Sequence, residues 1–465
     1  MTPDANDLCV FAIKRGIITG RFDVRNMRHL AFAMDRKGAK ISLGNLVLEE
    51  PSYGTSSVAI QRTSEDQPKY IRITDFDDFG IAPNHEYMTT DNYSDKHLLR
   101  NGDILFARSG ATVGKTYYYD GAIGSAVFAG YCIRFRFDES KVYPKFIYWC
   151  TKTETYSAWV KGIQRPSGQP NINKEEFKSY KTIVPPKEIQ FSLMVKMNDA
   201  EQKRENAIQY ANYIVKKARE QLLSKSNISF SEYHPSTYSY FTLGQVKKIG
   251  LYCNPHSAYL NDVYTQLCNS SYYAGALENY VDINPSIKKS ELRDSDIVSF
   301  VPMPAVKEKT NQVVYEKKKY GEVKTGFTPF QRGDLLWAKI TPCMQNGKSF
   351  LSDNMPTEYG FGSTEFHVLR PRSEKIYMPY LWILLSDKHI LEAAQGMFSG
   401  SAGQQRVTEV FLKKLPIVFP SFSIQKELAD EVFYAMEKSK LMIEEAEREW
   451  SKAKAHFEIE LLGES

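Results

Sequence analysis

Gly102-Asp103-Ile104-Leu105-Phe106-Ala107-Arg108 is a short apolar run opened by Gly-Asp and closed by a base. It recurs 231 positions later as Gly333-Asp334-Leu335-Leu336-Trp337-Ala338-Lys339. Further pairs follow in the same order. Gly114-Lys115-Thr116 returns as Gly347-Lys348-Ser349 at an offset of 233, and Phe146-Ile147-Tyr148-Trp149 as Tyr380-Leu381-Trp382-Ile383 at 234. Gly168-Gln169 returns as Gly403-Gln404, and Val184-Pro185-Pro186-Lys187-Glu188-Ile189-Gln190 as Phe419-Pro420-Ser421-Phe422-Ser423-Ile424-Gln425, both at 235. Each pair is weak alone. Their common order and slowly drifting offset mark an internal duplication.

Inside each copy the pattern is rich in strands. Ile104-Leu105-Phe106-Ala107, Cys132-Ile133-Arg134-Phe135-Arg136 and Phe366-His367-Val368-Leu369 are β-prone runs bounded by Gly, Asp and Pro. Helical stretches are expected near 144–160 and 378–395. Each globular part therefore reads as α+β with a mixed or mostly antiparallel sheet.

A long amphipathic helix is expected after each Pro-containing boundary. Leu193, Met197, Ala200, Ala207, Ala211, Ile214 and Ala218 keep 3–4 spacing in the first, with Arg204 interrupting. Leu428, Val432, Ala435, Ile443, Ala446, Trp450, Ala453, Phe457 and Leu461 do so in the second, with Ser439 interrupting. A seam kept that long predicts an antiparallel coiled coil of two helices, each roughly 50–60 Å long. The plainer alternative is two amphipathic helices packed on their own domains. The expected order is a lead-in over 1–40, a first globular domain over 41–186, a central helix over 187–225, a second domain over 226–423 and a C-terminal helix over 424–465.

At 465 residues the chain is too long for one core. It has no apolar run near the roughly 20 residues that span a bilayer, and its first residues lack the pattern of a signal peptide. A cytoplasmic protein without membrane contact is expected. The cysteines, Cys9, Cys132, Cys150, Cys253, Cys268 and Cys343, are scattered without a C-x-x-C pair, so reduced thiols are expected rather than zinc ligands. Net charge is +5, but residues 187–225 carry +3 and 424–465 carry −5, which leaves +7 on the globular parts. Opposite signs favour pairing of the two helices, and basic domains fit an anionic partner.

Two globular domains alternating with two long helices resemble the specificity subunit of type I restriction–modification systems. The second copy carries the resemblance through Phe300-Val301-Pro302-Met303, Gly326-Phe327-Thr328-Pro329-Phe330, Gly333 through Met344 and Gly362-Ser363-Thr364-Glu365-Phe366-His367-Val368-Leu369-Arg370. The first copy matches more loosely, through Leu43-Gly44-Asn45-Leu46-Val47, Tyr53-Gly54-Thr55-Ser56, Gly102-Asp103-Ile104-Leu105 and Gly114-Lys115. The resemblance implies two target-recognition domains, each reading one half of a split sequence in double-stranded DNA. The helices would hold the readers at a fixed separation and dock two methyltransferase subunits. Those partners, not this chain, would bind S-adenosylmethionine and methylate adenine. Restriction/translocase subunits, using ATP and Mg, would join for cleavage. The chain itself would hold no cofactor or metal and catalyse nothing, as part of antiviral defence.

The residues agree with a non-catalytic role. Ser109-Gly110-Ala111-Thr112-Val113-Gly114-Lys115-Thr116 nearly matches a phosphate-binding loop, but Ser109 stands where the template needs Gly, so a strand-to-strand loop is expected. Asn284-Pro285-Ser286-Ile287 and Asn254-Pro255-His256 do not complete the loop that holds a flipped adenine. The histidines form no H-E-x-x-H or H-x-E pattern, and His367 is expected to be structural. The DNA-binding candidates are polar loop residues beside strands. They are Arg108, Lys115, Tyr118, Arg165, Ser167 and Gln169 in the first copy, and Lys339, Thr341, Lys348, Gln404, Gln405 and Arg406 in the second. Arg and Lys pair with guanine edges or phosphate, and Gln bridges adenine. The plain alternative for each is an ordinary solvated loop residue. At the level of the whole chain, the competing reading is a protein-interaction scaffold built from the same repeat without DNA binding.

Overall fold

Every residue of Ile104–Ala107 and of Leu335–Ala338 is buried in a strand, and the rest of each unit is arranged around these two runs. The computed structural model describes residues 40–77, 86–164, 170–232, 256–401 and 404–462. Nearly all of the lead-in expected at 1–40 lies outside the described residues. Two compact units are formed, Met1–Ala207 with Glu444–Ser465, and Ile208–Ile443.

In the first unit Ser52–Tyr53 (β1), Ile104–Ala107 (β2), Thr116–Tyr118 (β3) and Cys132–Phe135 (β4) form an antiparallel sheet in the order β1-β4-β2-β3. In the second, Val281–Ile283 (β5), Leu335–Ala338 (β6), Ser349–Leu351 (β7) and Phe366–Pro371 (β8) form one in the order β5-β8-β6-β7, which is the same topology. Each unit adds one parallel pair, Lys69–Ile71 with Ala126–Phe128 and Ile297–Val301 with Tyr359–Gly362. The helices Pro144–Cys150 and Glu154–Ile163 cover the first sheet's core, and Met378–Leu385 and Lys388–Ala394 that of the second.

The Gly-Asp opening has a physical reason. Asp103 is fully buried and accepts from the Arg100 amide and from Nε and Nη2 of Arg136, all at 2.8 Å. Asp334 accepts from the Gln331 amide and from Nε and Nη2 of Arg370, again at 2.8 Å. A buried carboxylate is tolerable only when paired and fully hydrogen-bonded, and the fork of an arginine supplies both. The glutamines that end the repeated Pro-containing boundary are also equivalent. Gln190 accepts from the Tyr143 amide at 3.0 Å and donates to Pro185 O at 2.7 Å, while Gln425 accepts from Tyr377 at 2.9 Å and donates to Pro420 O at 2.9 Å.

Two long helices follow, Lys187–Lys225 (α1) and Phe422–Leu462 (α2). Within the first unit their segments run in opposite directions. Lys196 meets Glu460 at 2.8 Å and Arg204 Nε donates to Glu447 at 2.9 Å. Arg204, which breaks the apolar spacing, thus faces a carboxylate. Leu193, Met197, Trp450 and Phe457 are buried in the same core, where Trp450 lies 5.7 Å from Trp149 and Phe457 6.0 Å from Phe146, ring to ring. Burying such side chains is worth about 1.5–3 kcal/mol each, against 0–1 for an exposed ion pair, so the apolar seam dominates and the charges set register. Glu458 closes this face by accepting from the amides of Glu154 and Thr155, both at 2.9 Å, which caps the helix they open. In the second unit Ala218 and Leu222 of α1 share a core with Leu428, Val432 and Ala435 of α2, and Lys225 reaches Glu431 at 3.4 Å.

Candidate nucleic-acid interface

Arg108 and Lys339 stand one residue beyond the ends of β2 and β6, each held between a strand and a returning segment. The Arg108 amide donates to Tyr131 O at 3.0 Å and its carbonyl accepts from Ile172 at 2.8 Å. The Lys339 amide donates to Glu365 O and its carbonyl accepts from Val407, both at 2.9 Å. Ser109 bridges Asn171 just as Ile340 bridges Arg406. One backbone frame therefore serves both units while the side chains on it differ.

In the first unit the Arg108 guanidinium lies over the Tyr53 ring, 4.9 Å from its centroid, and its buried Nε has no hydrogen-bond partner among the described residues. Stacking on the ring holds the planar fork in place. In the second unit Glu365 takes Nε and Nη2 of Arg406 at 2.8 and 2.7 Å. The guanidinium holds the Glu365 carboxyl below the usual carboxylate range, and the carboxylate raises Arg406 in turn. Thr341 donates its amide to Gln405 O at 3.0 Å, and its hydroxyl hydrogen-bonds the side chain of Gln345, which reaches Gln395 at 2.8 Å. Gln404 is exposed and Gln405 half-buried, and neither side chain bonds another described residue. Lys339 Nζ likewise has no ion pair or hydrogen bond among the described residues. Arg165, Ser167 and Gln169 lie outside them.

Lys115 and Lys348 occupy the turns leading into β3 and β7. Gly114 has a φ of +83°, and a Cβ there would come within 2.5 Å of Val160, so only glycine fits. The turn joins two antiparallel neighbours and leads into a strand. A phosphate-binding loop needs a helix N-terminus there, so the near-match is a hairpin turn. Lys348 Nζ donates to Met303 O at 3.4 Å, beside the bridged segment Val306–Val313 that carries Lys307 and Lys309.

Lys115 also lines an open groove of about 840 Å³ with Lys152, Lys161 and Lys454, against Glu447. Tyr118 is placed apart from it. It lines a cavity of about 640 Å³ with Glu139, Glu201 and Glu205, and its ring is covered by Lys145 at 4.9 Å. Burial raises the pKa of both the Tyr118 hydroxyl and Glu201.

Tyr53, Glu365, Gln345, Gln395 and the lysines of 307–309 are neighbours of the candidates that the sequence did not single out. Tyr53 and Glu365 were visible within the resemblance, but nothing in local spacing ties them to Arg108 or Arg406.

His367 is structural, as expected. Its buried Nε2 donates to Val407 O at 2.9 Å and its Nδ1 accepts from Asn284 at 3.2 Å, an arrangement that fits a neutral ring. Burial lowers its pKa. Below the unfolded value of about 6.5 the unfolded chain binds the proton more readily, so this stability is present above that pH and lost as pH falls. The second unit's melting temperature should fall from pH 7 to pH 5, and His367→Gln should flatten that slope. A slope unchanged in the variant would show that other groups carry it.

The four described cysteines, Cys132, Cys150, Cys268 and Cys343, are free thiols; burial raises the pKa of Cys132 and pushes Cys150 up to about 12. Among the described residues no helix is long and apolar enough to cross a membrane.

Two curated relatives align with part of the chain. The type I restriction enzyme EcoEI specificity subunit of Escherichia coli is 39% identical over 145 residues, 31% of this chain and 24% of that protein. The EcoAI specificity subunit of the same organism is 37% identical over 153 residues, 33% of this chain and 26% of its own length. The matched stretches thus span about a quarter of each relative. A solved type I restriction–modification system S subunit from M. genitalium aligns over 92% of this chain at 13% identity, with 96% of its own chain covered and a TM-score of 0.40. The family model for the type I restriction modification DNA specificity domain matches residues 59–209 and 277–446, well over half of the chain, and the chain belongs to that family.

Proposed function

We propose that the chain is the sequence-specific DNA-recognition subunit of a type I restriction–modification complex. Each unit reads one half of a bipartite target in double-stranded DNA. The long helices pair as an antiparallel coiled coil, set the gap between the half-sites and dock two methyltransferase subunits, with restriction/translocase subunits joining for cleavage. S-adenosylmethionine, ATP and Mg belong to those partners, and this chain orients without catalysing. The observation that carries the reading is one backbone frame used twice with different polar side chains at the same place, Arg108 over Tyr53 in one unit and Lys339 beside Gln404 and Gln405 in the other. That is what two readers of unlike sequences require, since phosphate contacts position a protein and base contacts specify.

Methylome sequencing of cells with and without the chain tests this. Methylated adenine in a split motif should appear only with the chain; its absence in cells holding the partner subunits would sink the proposal. Replacing Gln404 and Gln405 with alanine should weaken the second half-site by about 1–3 kcal/mol per lost bidentate base contact and leave the first as it was. Normal methylation of the original motif by the folded variant would remove these two glutamines from the reading surface.

A further inference from the structure

The loop bearing Gln404 and Gln405 is fixed at several points. Thr341 binds Gln405 O, Lys339 O binds the Val407 amide, and His367 binds Val407 O. All three are bonds to the loop's backbone and carry no information about its side chains. Phe398–Ser399 also pairs with Arg406–Val407, and the Ser399 hydroxyl donates to Arg406 O at 3.4 Å. A further anchor is a side-chain pair. Glu365, just before β8, takes the Nε–Nη2 edge of Arg406, and the free end of the same guanidinium donates from Nη1 to Gln404 O at 3.0 Å. Arg406 therefore ties the exposed tip of its own loop to the sheet, with donors on both sides engaged inside the protein.

A guanidinium that reads guanine must present two parallel donors, and here the side edge is committed to a carboxylate. An acidic residue at a DNA-facing edge also repels phosphate unless it is neutralised. The first unit has no such pair at the matching positions, where Tyr131 and Asn171 hold the places of Glu365 and Arg406 in the same backbone bonds.

We propose that Glu365 and Arg406 form a positioning clamp for the second half-site: Arg406 is not a base reader, and the pair fixes the backbone from which Gln404 and Gln405 are presented. This rests on the DNA-recognition reading above and deepens it.

The signs of the effects separate the clamp from a direct contact. If Arg406 met DNA itself, Glu365→Gln would remove a competing carboxylate and leave recognition equal or stronger. A clamp predicts the opposite. The test uses the full chain assembled with its methyltransferase partners, with methylation measured on duplexes mutated in one half-site or the other. Glu365→Gln and Arg406→Lys should each lower discrimination at the second half-site by roughly 10- to 100-fold, the cost typical of a misplaced group. The double variant should be no worse than either single one, because both remove the same pair. The first half-site, read at wild-type level, reports an intact complex. Should Glu365→Gln accumulate poorly, Glu365→Asp keeps the charge but shortens the reach, and it should relax the second half-site too. Unchanged second-half reading in Glu365→Gln (or, if that variant is not obtained, in Glu365→Asp), or costs that add in the double variant, would overturn the clamp. Failure of the wild-type chain to direct methylation of a split motif would instead defeat the DNA-recognition reading itself.

Discussion

Asp334→Ala should destabilise the second unit by about 3–5 kcal/mol, the range for removing one partner of a buried ion pair. The carboxylate is completely buried and accepts two bonds from Arg370 and one from the Gln331 amide. Alanine would strand all three donors, and Arg370, only 17% exposed, would keep a charge it cannot solvate well. For a unit of ordinary marginal stability that loss is a large fraction of the total. Denaturant titration followed by hydrogen exchange across Leu335–Ala338 measures it, and the exchange should quicken there while β2 in the first unit stays protected. A cost below about 1 kcal/mol would place Asp334 among exposed pairs and refute the account of the Gly-Asp motif.

Gln425→Leu should cost roughly 3 kcal/mol or more, at 1–3 per buried polar group left without a partner. Leucine has nearly the same volume, so packing is kept while three backbone bonds vanish, from the Tyr377 amide and to the carbonyls of Lys375 and Pro420. Gln190→Leu is the matched experiment in the first unit. Its third bond, to Lys141 O, is 3.5 Å long, so the loss should be smaller. Equal losses at both positions would mean that the bond to residue 375 adds nothing.

These residues also show what was legible beforehand. The Gly-Asp motif, the Pro-containing boundary and its glutamine could be paired in the sequence because both copies keep the same residue types in the same order. Asp334 takes one bond from the Gln331 amide three residues away and Gln425 donates to Pro420 O five residues away, but their other partners, Arg370 and Tyr377, lie 36 and 48 positions off. The apolar spacing of α1 and α2 was readable because a helical period is local. Partners brought together by the fold were not: Arg406 and Glu365 are separated by 41 positions, Arg204 and Glu447 by 243. Arg204 looked like a flaw in a seam because its counterion lay on another helix. Nothing local to Tyr118 told that Glu139, Glu201 and Glu205 line the cavity beside it.

The capping of Glu154 and Thr155 by Glu458, together with Trp450 and Phe457 in the first core, has a consequence for biosynthesis. A ribosome delivers Leu193 long before Phe457. At about 5–20 residues per second the interval is on the order of 10 to 50 s. Throughout it the nascent chain holds Phe146 and Trp149 without their late-arriving neighbours, while the whole second unit is still being made. The unit begun first is thus the last to be completed, and a chaperone that shelters exposed aromatic surface would find its client there.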